Sequence, residues 1–290
     1  MSQSADLPAL LVPEMFTHLY QTPWYAQLDP AQRLTYNRLY GLRINEQFIQ
    51  FEEVFIKGLM PRLKRHKSLR DNPRLLNSVE LILSDEERHS RMFAQYNQAI
   101  RPDLYRHTPN PFTPLSTIER ILLNGLLAAP GLVSCLLWLM LAMEELTTAI
   151  SQALIDHPRS DQMDQTFLTL HRQHLHDEKR HVGIDRKLIL NMPAEASSLG
   201  QQINARLFRY VFSNVLKPRR STIQVIRQLV RDCPELAPLK KDMIDAVRTL
   251  DPQTAFPANL LGADKLPVLH SLFDHFPDYR VKDLGLTATD

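Results

Sequence analysis

Glycine is scarce in this chain. Its 290 residues include 8 glycines, where the usual ~7% would supply about 20. A β-rich fold of this length needs glycine for its tight turns, and nucleotide-binding folds need it in phosphate loops. Neither GxGxxG nor GxxxxGK[ST] occurs, which argues against Rossmann and P-loop enzymes. Cysteine is scarcer still. Cys135 and Cys233 are the only two, too few for a disulfide framework, a CxxC zinc site or an iron site with four thiolates. Neither sign of charge dominates: 34 basic against 32 acidic residues leave +2, so there is no broad electrostatic case for a nucleic-acid partner. The opening residues MSQSADLPALL lack a basic stretch followed by a long apolar one, so no secretory signal is expected. With 44% apolar and 23% charged residues the chain can build a full core. The expectation is a cytoplasmic, mostly helical, globular protein.

Proline and capping residues mark the helices. Asp29-Pro30 reads as an N-cap followed by the first helical position, opening a helix that Pro61 is expected to stop. Asn72-Pro73 repeats the signal for a second helix that fades near Arg101-Pro102. Ser116 and Glu119 have capping-box spacing and open a shorter helix. After Pro130-Gly131 a third long helix can run to about His157-Pro158, and Ser160 is placed to cap a fourth ending at Asn191-Met192-Pro193. Further helices are expected around 196–216, 221–232, 236–249 and 263–276, separated by Pro218, Pro234, Pro252 and Pro257. No composition shift marks a second domain, so residues 1–290 read as one helical domain: a bundle over about 30–192, a C-terminal extension over about 195–290, and an N-terminal arm of some thirty residues containing Pro8, Pro13, Pro23 and Trp24. Residues 131–143, GLVSCLLWLMLAM, are uncharged. A membrane span needs about 20 apolar residues and Glu144-Glu145 follow at once, so a buried bundle helix is expected and no membrane. The basic run Arg62, Lys64, Arg65, His66, Lys67, Arg70 reads as a solvated helix end.

One pattern occurs twice. Asp85-Glu86-Glu87-Arg88-His89 falls in the second long helix and Asp177-Glu178-Lys179-Arg180-His181 in the fourth; both are DExRH. A Glu and a His three residues apart on a helix lie about 60° apart and one turn along, so both can reach one metal ion. In the second helix Leu75, Val79, Ile82, Glu86, His89 and Phe93 share one face, which puts charged groups inside an apolar stripe. A lone ExxH is more often a solvated surface pair, but two copies on faces that should be buried reverse that reading. Buried carboxylates without partners cost several kcal/mol each, so something cationic belongs between them.

The other two long helices each supply a carboxylate pair. In the first, Glu52 falls in the centre of the face made by Phe48, Ile49, Phe55, Ile56 and Leu59, while Glu53 lies nearer Gln50 and Lys57 and reads as solvent-facing or as a backing residue. The third offers Glu144 and Glu145, between which periodicity does not choose. One Glu from each of two helices and a Glu-x-x-His from each of two others resembles the di-iron and di-manganese carboxylate bundles. Four carboxylates and two divalent ions cancel in charge. Oxygen and imidazole ligands suit iron, manganese or zinc. Asp85 and Asp177 are placed to accept the outer N–H of a ligand histidine on the opposite helix, with a surface salt bridge to the nearby arginine as the alternative.

The fourth helix carries more histidine than the motif needs. His174 lies about 40° from Glu178 and one turn before it, whereas Ile82 holds the matching position in the second helix. One metal therefore gains an extra nitrogen. His176 points to the opposite side. His171 shares the face but sits roughly 10 Å along the axis from Glu178, and is expected to line the pocket or back a ligand, with a buried core histidine as the alternative.

HxxDExRH, His174 through His181, together with the earlier DExRH, resembles the p-aminobenzoate N-oxygenase (AurF-like) family of non-haem di-iron enzymes over about residues 35–190. The resemblance implies a ferritin-like helical fold, two iron ions held by three histidines and four carboxylates, and O2-dependent oxidation of an amine to the hydroxylamine, in some members on to nitroso or nitro. Carried over by motif, the ligands are Glu52, Glu86, His89, Glu145, His174, Glu178 and His181. EELTTAIS around Glu145 is also similar to the third-helix ligand stretch of acyl-carrier-protein desaturases, which favours Glu145 over Glu144. Against that, Glu144 precedes Glu178 by 34 residues, as Glu52 precedes Glu86. The expected partners are a small-molecule amine, O2 and an external electron donor, since no flavin or nicotinamide signature is present, with a homodimer expected from base rates. Manganese is the alternative metal. The alternative functions are a di-iron C–H oxidase, whose desaturase-like pattern lacks the ligand at His174, and a non-catalytic metal-storage or oxidant-buffering protein. No position here matches a substrate-carboxylate-binding arginine.

Overall fold

The computed structural model describes residues 9–191, 197–216, 220–250 and 260–281. Among them helices dominate, and the sole β-type pairing is an isolated bridge between Leu10 and Met163. The first long rod is composite: α1 (Pro30–Gln50) runs through a π-helical turn (Phe51–Ile56) into α2 (Lys57–Arg65). A short α3 (Lys67–Arg70) leads to α4 (Pro73–Ile100), followed by α5 (Pro102–Tyr105), α6 (Thr117–Ala128), α7 (Val133–Ile155) and α8 (Gln165–Asn191). The C-terminal part contributes α9 (Ser198–Val215), α10 (Arg220–Asp232), α11 (Lys240–Arg248) and α12 (Pro267–His275). α1 packs on α4, α4 on α8, and α7 lies along α8, which gives the four-rod bundle; α10 covers α1, and α9 covers α7.

The caps explain most helix starts. Asp29 accepts from Gln32 N in a capping box, Ser116 does the same with Glu119, and Asn72 accepts from Leu75 N, each supplying an acceptor for an otherwise orphaned first-turn amide. Two boundaries differ from expectation. Pro61 does not stop the first rod. It has no N–H to give the carbonyl four residues back, but Leu59, Met60 and Leu63 around it are fully buried, and their packing carries the helix to Arg65, where His66 turns extended at ψ 134°. The cap of α8 is Asp164, whose carboxylate accepts from Phe167 N at 2.8 Å, while Ser160 begins a separate 3-10 turn, Ser160–Gln162. The start of α7 lacks a cap of its own. Asn204 of α9 serves instead, accepting from Cys135 N and donating to Gly131 O. Of the basic run, Arg62 donates to the carbonyls of Leu127 and Ala129 at the end of α6, and Lys64 pairs with Glu80 at 3.2 Å. The expected breaks at Pro193, Pro218, Pro252 and Pro257, like the first eight residues, lie outside the described residues.

The apolar interior forms two clusters. One gathers α2, α7, α9 and α12 around Trp138, whose ring stacks on Tyr279 at 4.3 Å and Phe273 at 5.7 Å. The other gathers the N-terminal arm, α1, α10 and α11. α4 and α8 run through both, and where one cluster gives way to the other their buried residues turn polar. α7 is long and apolar enough to cross a membrane, yet most of it is buried inside the protein.

The arm is pinned to α1. Asn37 accepts from Leu11 N at 2.8 Å and donates to Val12 O at 2.6 Å. Gly41, one turn on, lets the arm approach: a β-carbon there would lie 2.5 Å from Leu11 Cβ. Gly41→Ala is therefore expected to push Leu11 out of its seat at a cost of about 1–3 kcal/mol, read as a lower denaturation midpoint. An unchanged midpoint would show that the arm is not packed there.

Candidate metal centre

α4 turns Leu75, Val79, Ile82, Glu86, His89 and Phe93 inward, all buried as the periodicity predicts. α8 likewise buries His171, His174, Glu178 and His181 on one face. From the first rod Glu52 enters on the π turn, in which Lys57 N–H bonds back to Glu52 O, five residues earlier. Such wide turns carry an extra residue and concentrate at functional sites. From α7 comes Glu144. Two groups of donors result, Glu52 with His89 and His174, and Glu86 with Glu144, Glu178 and His181, the donor atoms in each lying within 4.8 Å of one another.

Contacts run between the groups. Glu178 Oε1 lies 3.1 Å from His174 Nε2, 3.3 Å from His89 Nδ1 and 3.4 Å from His181 Nδ1. Glu86 reaches His181 Nδ1 at 2.9 Å and His89 Nδ1 at 3.8 Å. Glu52 Oε1 is 3.3 Å from His174 Nε2, and its other oxygen accepts from Ser90 Oγ at 2.8 Å. Both oxygens of Glu86 and Glu178, Oε1 of Glu144, and Nδ1 of His89 and His181 are nonetheless buried without a hydrogen-bond partner. Lone pairs that converge on shared space without satisfying one another form a cation's cradle.

The outer faces of two imidazoles are held across helices. His89 Nε2 on α4 donates to Asp177 on α8 at 3.2 Å, and His181 Nε2 on α8 donates to Asp85 on α4 at 3.3 Å. An ionised carboxylate only accepts, so each ring carries a proton on Nε2 and turns Nδ1 inward, the nitrogen that would bind a metal once its own proton is lost. Arg88 donates to Asp85 at 2.9 Å and Asp177 at 2.8 Å, and Arg180 to Asp85 at 2.5 Å and Asp177 at 3.2 Å. Both expected roles of the aspartates are thus filled together. Although burial opposes it, these donors hold both carboxyls below the usual range.

The choice of Glu145 as a ligand is corrected. Neighbours on a helix point about 100° apart, and here Glu144 faces the cluster while Glu145 faces α12. Glu145 accepts from Val268 N at 2.7 Å and Leu269 N at 2.8 Å, serving as the cap that Leu266 cannot supply. Burial pushes its carboxyl up to about 7, against the pull of those two amides. Glu53 is also outside the cluster, paired with Lys57 at 2.7 Å. His176 is exposed. His171 is fully buried apart from the donors: its Nδ1 meets Ser151 Oγ at 3.0 Å, and Phe48, Phe93 and Phe167 surround it. Burial holds it well below its ordinary value, so it is a neutral core histidine behind His174.

Sequence reasoning missed Asp185. It is completely buried with neither oxygen partnered, and burial raises its carboxyl well above the ordinary range, with Glu178 and Glu86 adding to the rise. Its spacing, four residues after His181 and seven after Glu178, put it on the inward face and was the available signal. Ser90 was missed as well; it follows His89 directly.

The electrostatics agree with the geometry. Burial, together with the neighbouring carboxylates, drives Glu52 and Glu144 well above their ordinary values. Burial works against protonating His89 and His181, but Glu178 and Glu86 beside them raise the two rings to about 10 and about 11. His174 is pushed down to about 3 by burial and so offers a neutral nitrogen. Without a cation the cluster balances itself with protons; two divalent ions would balance the four carboxylates instead. The donor set of carboxylates and imidazoles suits iron or manganese, and the unpartnered atoms fit a pair of such ions held by these seven side chains.

A sequence model of the family described as p-aminobenzoate N-oxygenase AurF matches residues 2–242. That family has the di-iron, ferritin-like helical fold, and the helical architecture of the described residues has that form. A search of curated proteins returned no match.

Two outcomes are expected. Glu144→Gln should lower the iron retained after ferrous loading and desalting, whereas Glu145→Gln should retain it and lose stability by about 1–3 kcal/mol through the freed α12 amides; the reverse pattern would restore Glu145 as the ligand. Ligand histidines must be neutral, and His89 and His181 lose their protons only near pH 10 and 11 in the metal-free fold. Metal uptake at neutral pH should therefore release protons, and apparent affinity should rise with pH. Calorimetry in buffers of different ionisation enthalpy measures this, and no net release would contradict the protonation scheme.

Proposed function

Because the chain belongs to the p-aminobenzoate N-oxygenase family, we propose that it is an O2-dependent oxygenase that places oxygen on the nitrogen of an amine, with two iron ions held by Glu52, His89, His174, Glu86, Glu144, Glu178 and His181. The observation that carries this reading is the convergence of these seven buried side chains from four helices, with donor atoms of Glu86, Glu144, Glu178, His89 and His181 left without a hydrogen-bond partner. The presence of His174 in the cluster favours N-oxygenation over a desaturase-like C–H oxidase. Manganese is the alternative metal.

When bound, the iron pair supplies O2 activation and electron transfer. The protein's part is positioning and exclusion. Asp85 and Asp177 fix the imidazole tautomers. Phe48, stacked on His174 at 5.1 Å, and Phe93, at 5.2 Å, wall that side with apolar rings. Conversion of an amine to its hydroxylamine takes one oxygen atom from O2, two electrons and two protons, the second oxygen leaving as water. The electrons come from an external reductase in this proposal, and further cycles lead to nitroso and nitro products. A cytoplasmic homodimer is part of the same proposal.

The test is aerobic reaction of the reduced, iron-loaded protein with aryl, aliphatic and amino-acid amines under 18O2, followed by mass spectrometry. A product carrying one 18O on nitrogen is expected. Its absence across all three classes would remove N-oxygenation as the function.

A further inference from the structure

Asp185 is a buried acid outside the seven donors. It is completely enclosed, and neither of its oxygens has a hydrogen-bond partner. No lysine, arginine or histidine nitrogen among the described residues pairs with it. It lies on the inward face of α8, one helical turn (about 6 Å) beyond His181 and two turns beyond Glu178, with no hydrogen bond or ion pair to either. Its neighbours in sequence, Ile184, Leu188 and Ile189, belong to the apolar cluster about Trp138. The charged groups that act on it are all donors from one half of the centre. They are Glu178 and His181 on its own helix, Glu86 on α4, and Glu144 on α7, whose carboxyl Asp185 raises in turn. Asp85, Arg88 and Arg180, also where α4 meets α8, are tied to one another and to Asp177 nearer the surface.

Charge decides what such a group does. Four carboxylates balance two ferrous ions. Burial then keeps Asp185 as the uncharged acid, since an ionised carboxylate there has no donor to replace its lost water. When both irons become ferric, the same donors are left with two positive charges in excess, one turn along the helix from Asp185. In an apolar surrounding such charges act strongly, and ionising Asp185 cancels one of them. Given the di-iron reading, on which this step rests, we propose that Asp185 is a charge-compensating proton store: it holds a proton while the irons are ferrous and releases it as they become ferric. The step balances. In each turnover the two irons lose one electron each, the Asp185 O–H bond breaks with its electron pair left on the carboxylate, and the proton goes to the oxygen atom that departs as water. It is one of the two protons that amine N-oxygenation consumes. Two electrons from the external donor restore the ferrous pair, and Asp185 regains its proton from solvent. Asp185 acts through its charge, not as an eighth ligand.

The test uses the full-length, iron-loaded protein, reduced anaerobically near neutral pH in weakly buffered solution. Proton uptake is followed with an indicator dye, and infrared difference spectra are recorded. At equal iron content and equal electrons accepted, wild type should take up about one proton more per iron pair than Asp185→Asn. The wild-type spectrum should gain a carboxylic-acid C=O band on reduction, shifted in D2O and missing in the variant. The wild-type midpoint potential should fall by about 30 mV more per pH unit than the variant's, a tenfold change in proton activity converted for two electrons. Asp185→Leu, an independent replacement, should behave as the asparagine variant does. Equal proton uptake in wild type and both variants, or a wild-type difference spectrum with no carboxylic-acid band, would overturn the proposal. The two readings fail separately. A wild-type chain that retains no iron sinks the di-iron reading and this one with it, whereas iron that binds and cycles with no difference in proton uptake sinks this one alone.

Discussion

Burying Glu52, Glu86, Glu144 and Glu178 together between four helices is the constraint around which the rest of the molecule is arranged. Carboxylates removed from water cost several kcal/mol apiece unless compensated, and a domain is stable by only about 5–15 kcal/mol in total. Left uncompensated, the four would exceed the whole margin. Protons on His89 and His181 together with protons on Glu52 and Glu144, or a pair of divalent ions, remove that penalty. Asp85 and Asp177, the anions nearest the surface, are the ones given arginines; the inner four have only imidazoles, one serine and each other.

The surrounding architecture reads as scaffolding for this arrangement. Two apolar clusters meet at the level of the donors, so each supporting helix is anchored above and below them. α7 carries Glu144 and Glu145 in succession, and the two do different work: one faces the centre, and the other holds the first turn of α12. The C-terminal helices are thereby tied to the element that supplies a donor. The π turn at Glu52 interrupts the first long rod where that rod delivers its donor.

Much of this was legible in the sequence. The repeated DExRH, with apolar residues at helical spacing around it, placed Glu86, His89, Glu178 and His181 inward, and the extra His174 marked the unequal halves. Cap residues located the starts of α1, α4 and α6. What escaped had physical causes. Periodicity in α7 is blurred because the helix is apolar nearly all round, so Glu144 and Glu145 looked alike, and a local resemblance pointed to the wrong one. Pro61 breaks a helix only where packing fails to hold it, and Leu59, Met60 and Leu63 do hold it. The π turn leaves no composition signal. Asp185 had the right spacing but no partner motif to draw notice.

The aspartate–arginine clasp has a mechanical consequence. His89 is steadied by a residue of the opposite helix, and His181 is steadied in return by a residue of its own opposite; both arginines grip both aspartates. Neither imidazole can be reoriented by its own helix alone. Any slippage of α4 against α8 twists the rings on both sides at once, so the two halves of the centre tighten or slacken in unison.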